Sequence, residues 1–159
     1  NILDAHGKIR KSVREARERG VLFDCASGRK NHSLELTRQA LREGFFPDII
    51  STDVITESVY RKSLFGLPRT MSEYLALGMD LSDVVRAVTE TPARLMRMAG
   101  EIGTLAPGAL ADVAIMRLRE GPVFFEDLVG GSIEGNALLI PQATLKAGRL
   151  AFMQIDFLF

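Results

Sequence analysis

Between residues 7 and 52 two helical patterns each lead into a short apolar run, and this order constrains the fold more than any other feature. Ile9, Val13 and Ala16 stand at helical spacing among charged residues, which predicts a helix over 7–19 with Gly20 as its C-terminal stop. Residues 21–26 are apolar and partly β-branched, and they predict a strand buried on both faces. Ser27-Gly28-Arg29-Lys30-Asn31 then breaks the pattern. From Ser33, the residues Leu34, Leu36, Ala40 and Leu41 predict a second helix ended by Gly44, and Phe45-Phe46-Pro47 leads into a strand over 48–52. Crossover helices return each strand to the same end, so the alternation predicts a parallel sheet in an α/β fold. Functional groups should then gather beyond the C-terminal ends of the strands.

The next segment, 56–69, reads as a polar loop containing Gly66 and Pro68, long enough to cover a site at that end and to carry substrate contacts. Helices are predicted over 71–77 and 81–98. The second should bend or divide near Thr91-Pro92, where proline lacks the N–H that a helix interior uses, and Asp80 or Ser82 should cap its start. After Gly100 the pattern changes to short apolar or alternating runs over 111–118, 123–128 and 137–151, separated by glycines and Pro141. That is a β-rich tail. The shift in composition places a boundary between Gly100 and Gly103, dividing 1–100 from 101–159.

Length limits the architecture. A chain of 159 residues that is 47% hydrophobic can bury one substantial core, whereas a complete eight-stranded α/β barrel takes roughly 250 residues. Twenty basic and twenty acidic side chains cancel, so no strong field draws the chain to nucleic acid or a membrane surface, and small-molecule chemistry is favoured. The single Cys25 lies in an apolar run, reads as a buried thiol and cannot form an internal disulfide, which fits a reducing, cytoplasmic setting. No apolar run is long enough to span a membrane, and the opening Asn1-Ile2-Leu3-Asp4 is unlike a signal sequence. The lack of an initiating Met suggests an incomplete N-terminus. Assembly into a homo-oligomer is left open.

Asp53 carries the most chemical interest. It ends the strand-like run Asp48-Ile49-Ile50-Ser51-Thr52-Asp53, where a carboxylate reaches solvent without being stranded in an interior. Such a group can take a proton from an attacking water, including a metal-bound one, and return it to a leaving nitrogen. The plainer reading is an aspartate capping the next turn. His6 and His32 have no close metal-ligand spacing, and each reads as a surface or capping-region histidine. Arg10-Lys11 and Arg29-Lys30 read as solvated pairs, and Met96 and Met98 as adaptable core packing. Asp24 is unusual, because a carboxylate within a buried strand must be hydrogen-bonded or neutralised. Neither a phosphate-binding loop, a Gly-x-Gly-x-x-Gly turn nor a Gly-x-Ser-x-Gly elbow occurs.

The order of several motifs resembles the amidohydrolase superfamily, particularly its dihydroorotase-like amidohydrolase/deacetylase branch. The likeness runs through Asn1-Ile2-Leu3-Asp4, Gly7-Lys8-Ile9, Glu15-Ala16-Arg17-Glu18-Arg19-Gly20-Val21, Phe23-Asp24, Glu43-Gly44-Phe45, Pro47-Asp48 and Ile50-Ser51-Thr52-Asp53. It continues through Thr70-Met71-Ser72, Leu75-Ala76-Leu77-Gly78-Met79, Thr91-Pro92-Ala93-Arg94, and Gly103-Thr104-Leu105 to Ala111-Asp112-Val113. Each piece is weak alone; their joint order is specific. The resemblance implies the C-terminal part of a TIM-type (β/α)8 barrel followed by a portion of a small β-sandwich domain. It implies a metal-dependent hydrolase of non-peptide C–N bonds, acting in complete form on a cyclic amide or an N-acyl or O-acyl small molecule. Asp53 matches the family's aspartate after the final barrel strand, with implied roles of metal ligand and proton shuttle, and zinc is the implied ion.

Two departures stand out. The family's His-x-His pair, carboxylated lysine and a further histidine belong to earlier strands without counterparts in these residues. Within the matched region the family pattern is Phe-Asp, two small residues, then His-Gly, whereas this chain reads Phe23-Asp24-Cys25-Ala26-Ser27-Gly28. Serine is a much poorer zinc ligand than imidazole, and His32 is the one nearby imidazole that a rearranged loop would offer. Two further readings stay open: a non-catalytic amidohydrolase-like protein kept for assembly or binding, and an unrelated α/β small-molecule module.

Overall fold

A computed structural model describes residues 2–28, 32–55 and 66–157. The elements run α1 (Lys11–Glu18), β1 (Asp24–Ala26), α2 (Leu34–Arg42), β2 (Ile49–Ser51), α3 (Gly66–Ala76), α4 (Leu81–Val88), α5 (Glu90–Leu95), β3 (Val113–Glu126), β4 (Ser132–Lys146) and β5 (Arg149–Met153).

The crossover logic of the first half holds. β1 and β2 pair in parallel, with Asp24 opposite Ile49, Cys25 opposite Ile50 and Ala26 opposite Ser51. Both elements are shorter than their apolar runs. Val21 and Leu22 remain 47% and 43% exposed, and Cys25 is partly exposed rather than buried. The expected burial on both faces therefore fails for Val21 and Leu22, which lie outside β1. α1 begins at Lys11, later than its periodicity suggests. Ile9 instead bridges back to Leu3, and the two pack with Ala40 and Phe45.

Residues 56–65 of the expected loop lie outside the described residues, and 66–69 belong to α3 rather than to a loop. Pro68 is tolerated there because the first turn of a helix does not use its N–H. The expected division of the 81–98 helix is present, but it falls at Thr89, where ψ is −79°. Pro92 consequently sits in the first turn of α5. Asp80 occupies the N-cap of α4 without a side-chain capping bond. Gly103 packs so tightly that an added Cβ would lie 2.6 Å from the Thr89 carbonyl oxygen. Met96, expected in the core, is 57% exposed.

The tail forms one antiparallel sheet in the order β3-β4-β5. Pro141 lies in the central strand, yet it sits at a register shift opposite Met116 and beyond the stretch that β5 pairs with, so no ladder bond is lost. This sheet docks on α3. At Gly135 a Cβ would come within 2.7 Å of the Ala76 Cβ, so the missing side chain is what lets strand and helix approach. Ser72 Oγ donates to the Pro68 carbonyl and accepts from the Leu139 N–H at 2.8 Å. Leu139 shares a core with Ile50, Met71, Tyr74, Met79 and Val84, while Phe125 and Ile133 pack with Leu34.

Candidate active site

Parallel pairing fixes which side chains share a face. Cys25 and Ile50 point toward the core beneath the helices, which sends their neighbours Asp24 and Ser51 to the opposite face. There the Asp24 carboxylate accepts from Ser51 Oγ at 2.9 Å. The unusual strand carboxylate is thus exposed and hydrogen-bonded rather than buried.

Beyond Ala26 and Ser51 both strands end on the same side. Ser27 N–H donates to the Ser51 carbonyl at 2.9 Å, which carries the pairing one residue past the ladder. Thr52 and Asp53 leave from the same end. Asp53 is exposed and has φ of 46°, a left-handed conformation that aspartate tolerates better than most residues. Ser27 is 3% exposed, and its Oγ is buried without a hydrogen-bond partner.

His32 departs from its expected surface position. It is 6% exposed, and its Nε2 donates to Glu73 Oε1 at 2.7 Å. Its Nδ1 faces Cys25 Sγ at 4.0 Å. Burial presses against the charged ring, but the Cys25 sulfur and the Glu73 carboxylate outweigh it and hold the His32 pKa up at about 10. Tyr74 is fully buried beside this pair, with its hydroxyl directed at Cys25. Burial pushes the Tyr74 hydroxyl well above its usual value, and neighbouring Cys25, Glu73 and Asp24 reinforce the shift.

Both ring nitrogens of His32 therefore face protein partners, which leaves no support for its replacing the family histidine as a metal ligand. His6 is exposed and lies in a turn where its N–H donates to Asp4. Arg10 donates through Nε to the Leu3 carbonyl, and Lys11 pairs with Glu15, so neither forms an anion site. Arg29-Lys30 lies outside the described residues. Among the described residues no group of three or more His, Cys, Asp or Glu side chains is placed to hold a metal ion.

Glu73 escaped sequence reasoning. Arg69 stands four residues earlier, the spacing of an ordinary surface ion pair. In the fold, Arg69 instead donates to the Phe124 carbonyl and lies 4.9 Å from the Phe125 ring centroid. The signal that was available is the setting of Glu73 between Met71-Ser72 and Tyr74-Leu75, an acid on a largely apolar helix face.

A cavity of about 400 Å³ opens between β1 and α2, lined by Cys25, His32, Ser33, Leu36, Thr37 and Phe45 among others. No described helix is long and apolar enough to cross a membrane.

Comparison with known proteins accords with this geometry. The model of the amidohydrolase family matches residues 1–138. A deacetylase from Enterococcus faecalis is 28% identical over 150 residues, covering 94% of this chain and 40% of that protein. A deacetylase from Brucella anthropi is 29% identical over 123 residues, covering 77% of this chain and 30% of that protein. Among solved structures, an adenine deaminase superposes with a TM-score of 0.91 at 27% identity, covering 97% of this chain and 42% of that one. A dihydroorotase superposes with a TM-score of 0.78 at 25% identity, covering 91% and 38%. The chain thus spans about two fifths of the length of the first of these relatives. With most of its length matched by the family model and its α/β order shared with these structures, the chain belongs to the amidohydrolase family.

Proposed function

We propose that residues 1–100 form the C-terminal part of a (β/α)8 barrel, that residues 101–159 contribute to a small β-sandwich domain, and that the complete protein hydrolyses a non-peptide C–N bond. That bond lies in a small cyclic amide or an N-acyl compound; in an O-acyl substrate the bond cleaved is C–O. Similarity to a deacetylase, an adenine deaminase and a dihydroorotase supports that class of reaction.

The observation that carries the reading is the position of Asp53, exposed just past β2 at the end it shares with β1. Parallel α/β barrels assemble their chemistry at that end. In hydrolysis Asp53 accepts the proton of the attacking water and returns it to the leaving nitrogen, so that nitrogen departs as a neutral amine or amide. A divalent ion, zinc by family resemblance, would supply polarisation of the carbonyl. The described residues do not fit a complete centre, because no group of three or more His, Cys, Asp or Glu side chains gathers among them, and by the family resemblance Ser27 takes a histidine's place. The chemistry drawn from this chain is therefore confined to the carboxylate.

Asp53→Asn in the protein carrying its complete barrel should lower turnover roughly 100-fold or more while leaving the unfolding midpoint close to that of the parent. Near-normal turnover would reject the role. The orphaned hydroxyl of Ser27 favours a second reading, a family member kept for binding or assembly without hydrolysis. Absence of bound metal and of amide hydrolysis in the complete protein would select it.

A further inference from the structure

Among the described residues one side of β1 has no strand beside it, and what that side receives rests on the barrel reading above. We propose that the open edge of β1 seats one further barrel strand, an extended segment from outside residues 1–159 of the complete protein that pairs in parallel with β1 on the side opposite β2.

The shape of the cavity beside β1 carries the inference. Four consecutive residues, Phe23, Asp24, Cys25 and Ala26, all line its space of about 400 Å³. Successive side chains of a strand point to opposite faces, so a space that touches every residue in turn runs along an edge and not over a face. It thus follows roughly 13 Å of chain at about 3.3 Å per residue. Hydrogen bonding points the same way. The Phe23 carbonyl accepts from the Ile49 N–H at 3.2 Å, and the Ser27 N–H donates to the Ser51 carbonyl, so alternate residues from Phe23 to Ser27 turn their peptide groups toward β2. Asp24 and Ala26 turn theirs the other way, where no described strand lies. The Ala26 carbonyl is taken by the Gly28 N–H at 2.9 Å, which leaves the Ala26 N–H and both peptide groups of Asp24 for an incoming strand.

Two observations select a strand of the same barrel as the occupant. Leu36 of α2 lines the cavity and is 43% exposed, and Val21 and Leu22 carry an exposed apolar run back from β1, so the edge is flanked by the surface that a barrel strand covers. The adenine deaminase superposes over 97% of this chain with 42% of its own length; a relative that shares this arrangement holds it within a longer chain. The chemistry of the incoming segment follows. It is apolar where it meets Leu36 and Ala40, and it brings a hydrogen-bond donor to the side of Asp24, whose carboxylate loses water on closure and has Ser51 Oγ as its described donor.

Amide exchange of the complete protein, followed residue by residue by NMR, tests this. The Asp24 and Ala26 N–H groups should exchange about 100-fold or more slower than unstructured amides, as should that of Cys25, and should show nuclear Overhauser contacts to an extended segment outside residues 1–159. Protection at Cys25 with free exchange at Asp24 and Ala26 overturns the proposal and leaves the β1–β2 pair standing. Protection that vanishes on dilution to a monomer gives the edge to a second copy, and contacts to a helix or loop give it to another element; either result also overturns it. Free exchange at Cys25 as well removes the β1–β2 pair, and the barrel reading falls together with the proposal. Ala26→Pro deletes the edge-facing donor alone, a change tolerated on an open edge and not inside a sheet. It should unfold the complete protein at lower urea, and an unchanged midpoint would count against a seated strand.

Discussion

Asp127 fastens two distant parts of the chain, and removing its carboxylate should expose how much the β-rich tail contributes to the site. Its Oδ2 accepts the Leu34 N–H at 2.8 Å, and its Oδ1 accepts those of Val129 and Gly131 at 2.9 and 2.7 Å. The turn between β3 and β4 thereby supplies an acceptor to the first residue of α2, ninety-three positions earlier. Ser33, the nominal N-cap, contributes only a long 3.4 Å bond from Leu36. In Asp127→Ala the N–H groups of Val129 and Gly131 can turn to water, at roughly 0.5 kcal/mol each. The Leu34 N–H is different: its residue is 1% exposed, and an orphaned buried donor costs about 1–3 kcal/mol. Loss of a negative charge at the helix start adds about 0.5 kcal/mol. The total is about 3 kcal/mol, measured as a drop in unfolding free energy by urea titration at pH 7. Asp127→Asn keeps one acceptor oxygen and should lose about half as much. Burial opposes ionisation of Asp127, but the three backbone donors prevail and lower its folded pKa. Its stabilisation is thus complete above the unfolded carboxylate value and is lost as pH falls through the folded one. The gap between parent and Asp127→Ala should narrow in acid. A gap below about 0.5 kcal/mol at pH 7 would refute the reasoning.

Two other perturbations separate competing effects. The folded pKa of His32, about 10, stands above the ordinary imidazole value of 6.5, so its contribution is fully present below 6.5 and is lost as pH rises toward 10; urea midpoints should fall over that range more steeply for the parent than for Glu73→Gln, and parallel curves would contradict the pair. Gly103→Ala should cost about 2–4 kcal/mol by thermal unfolding, because a Cβ meets the Thr89 carbonyl at φ of 71°. Gly20→Ala, with φ of 88° and open space around it, should cost only about 1 kcal/mol; equal losses would show that the clash is relieved.

Much of this architecture was legible in local pattern. The alternation through residues 7–52 is enough to specify a parallel pair, since no short connection joins parallel strands, and β1 and β2 pair that way. The place of Asp53 just past a strand was visible because it follows an apolar run directly, and the tail announced itself by glycines between alternating segments. Family membership was also carried by motif order, now matched over residues 1–138.

What the sequence could not reveal depends on partners far along the chain. Glu73 meets His32 across 41 positions, and Asp127 meets Leu34 across 93. Periodicity describes only neighbours within a turn or a pleat, so Glu73 went unremarked and His32 looked like a surface residue. Strand length was misread for the same reason: Val21 and Leu22 are apolar, but a ladder forms only where another strand supplies hydrogen bonds, and β2 offers three residues. Sequence determined which segments could become helix or strand, whereas tertiary packing decided which polar groups were buried together, because burial and pairing are properties of the surroundings that folding brings near.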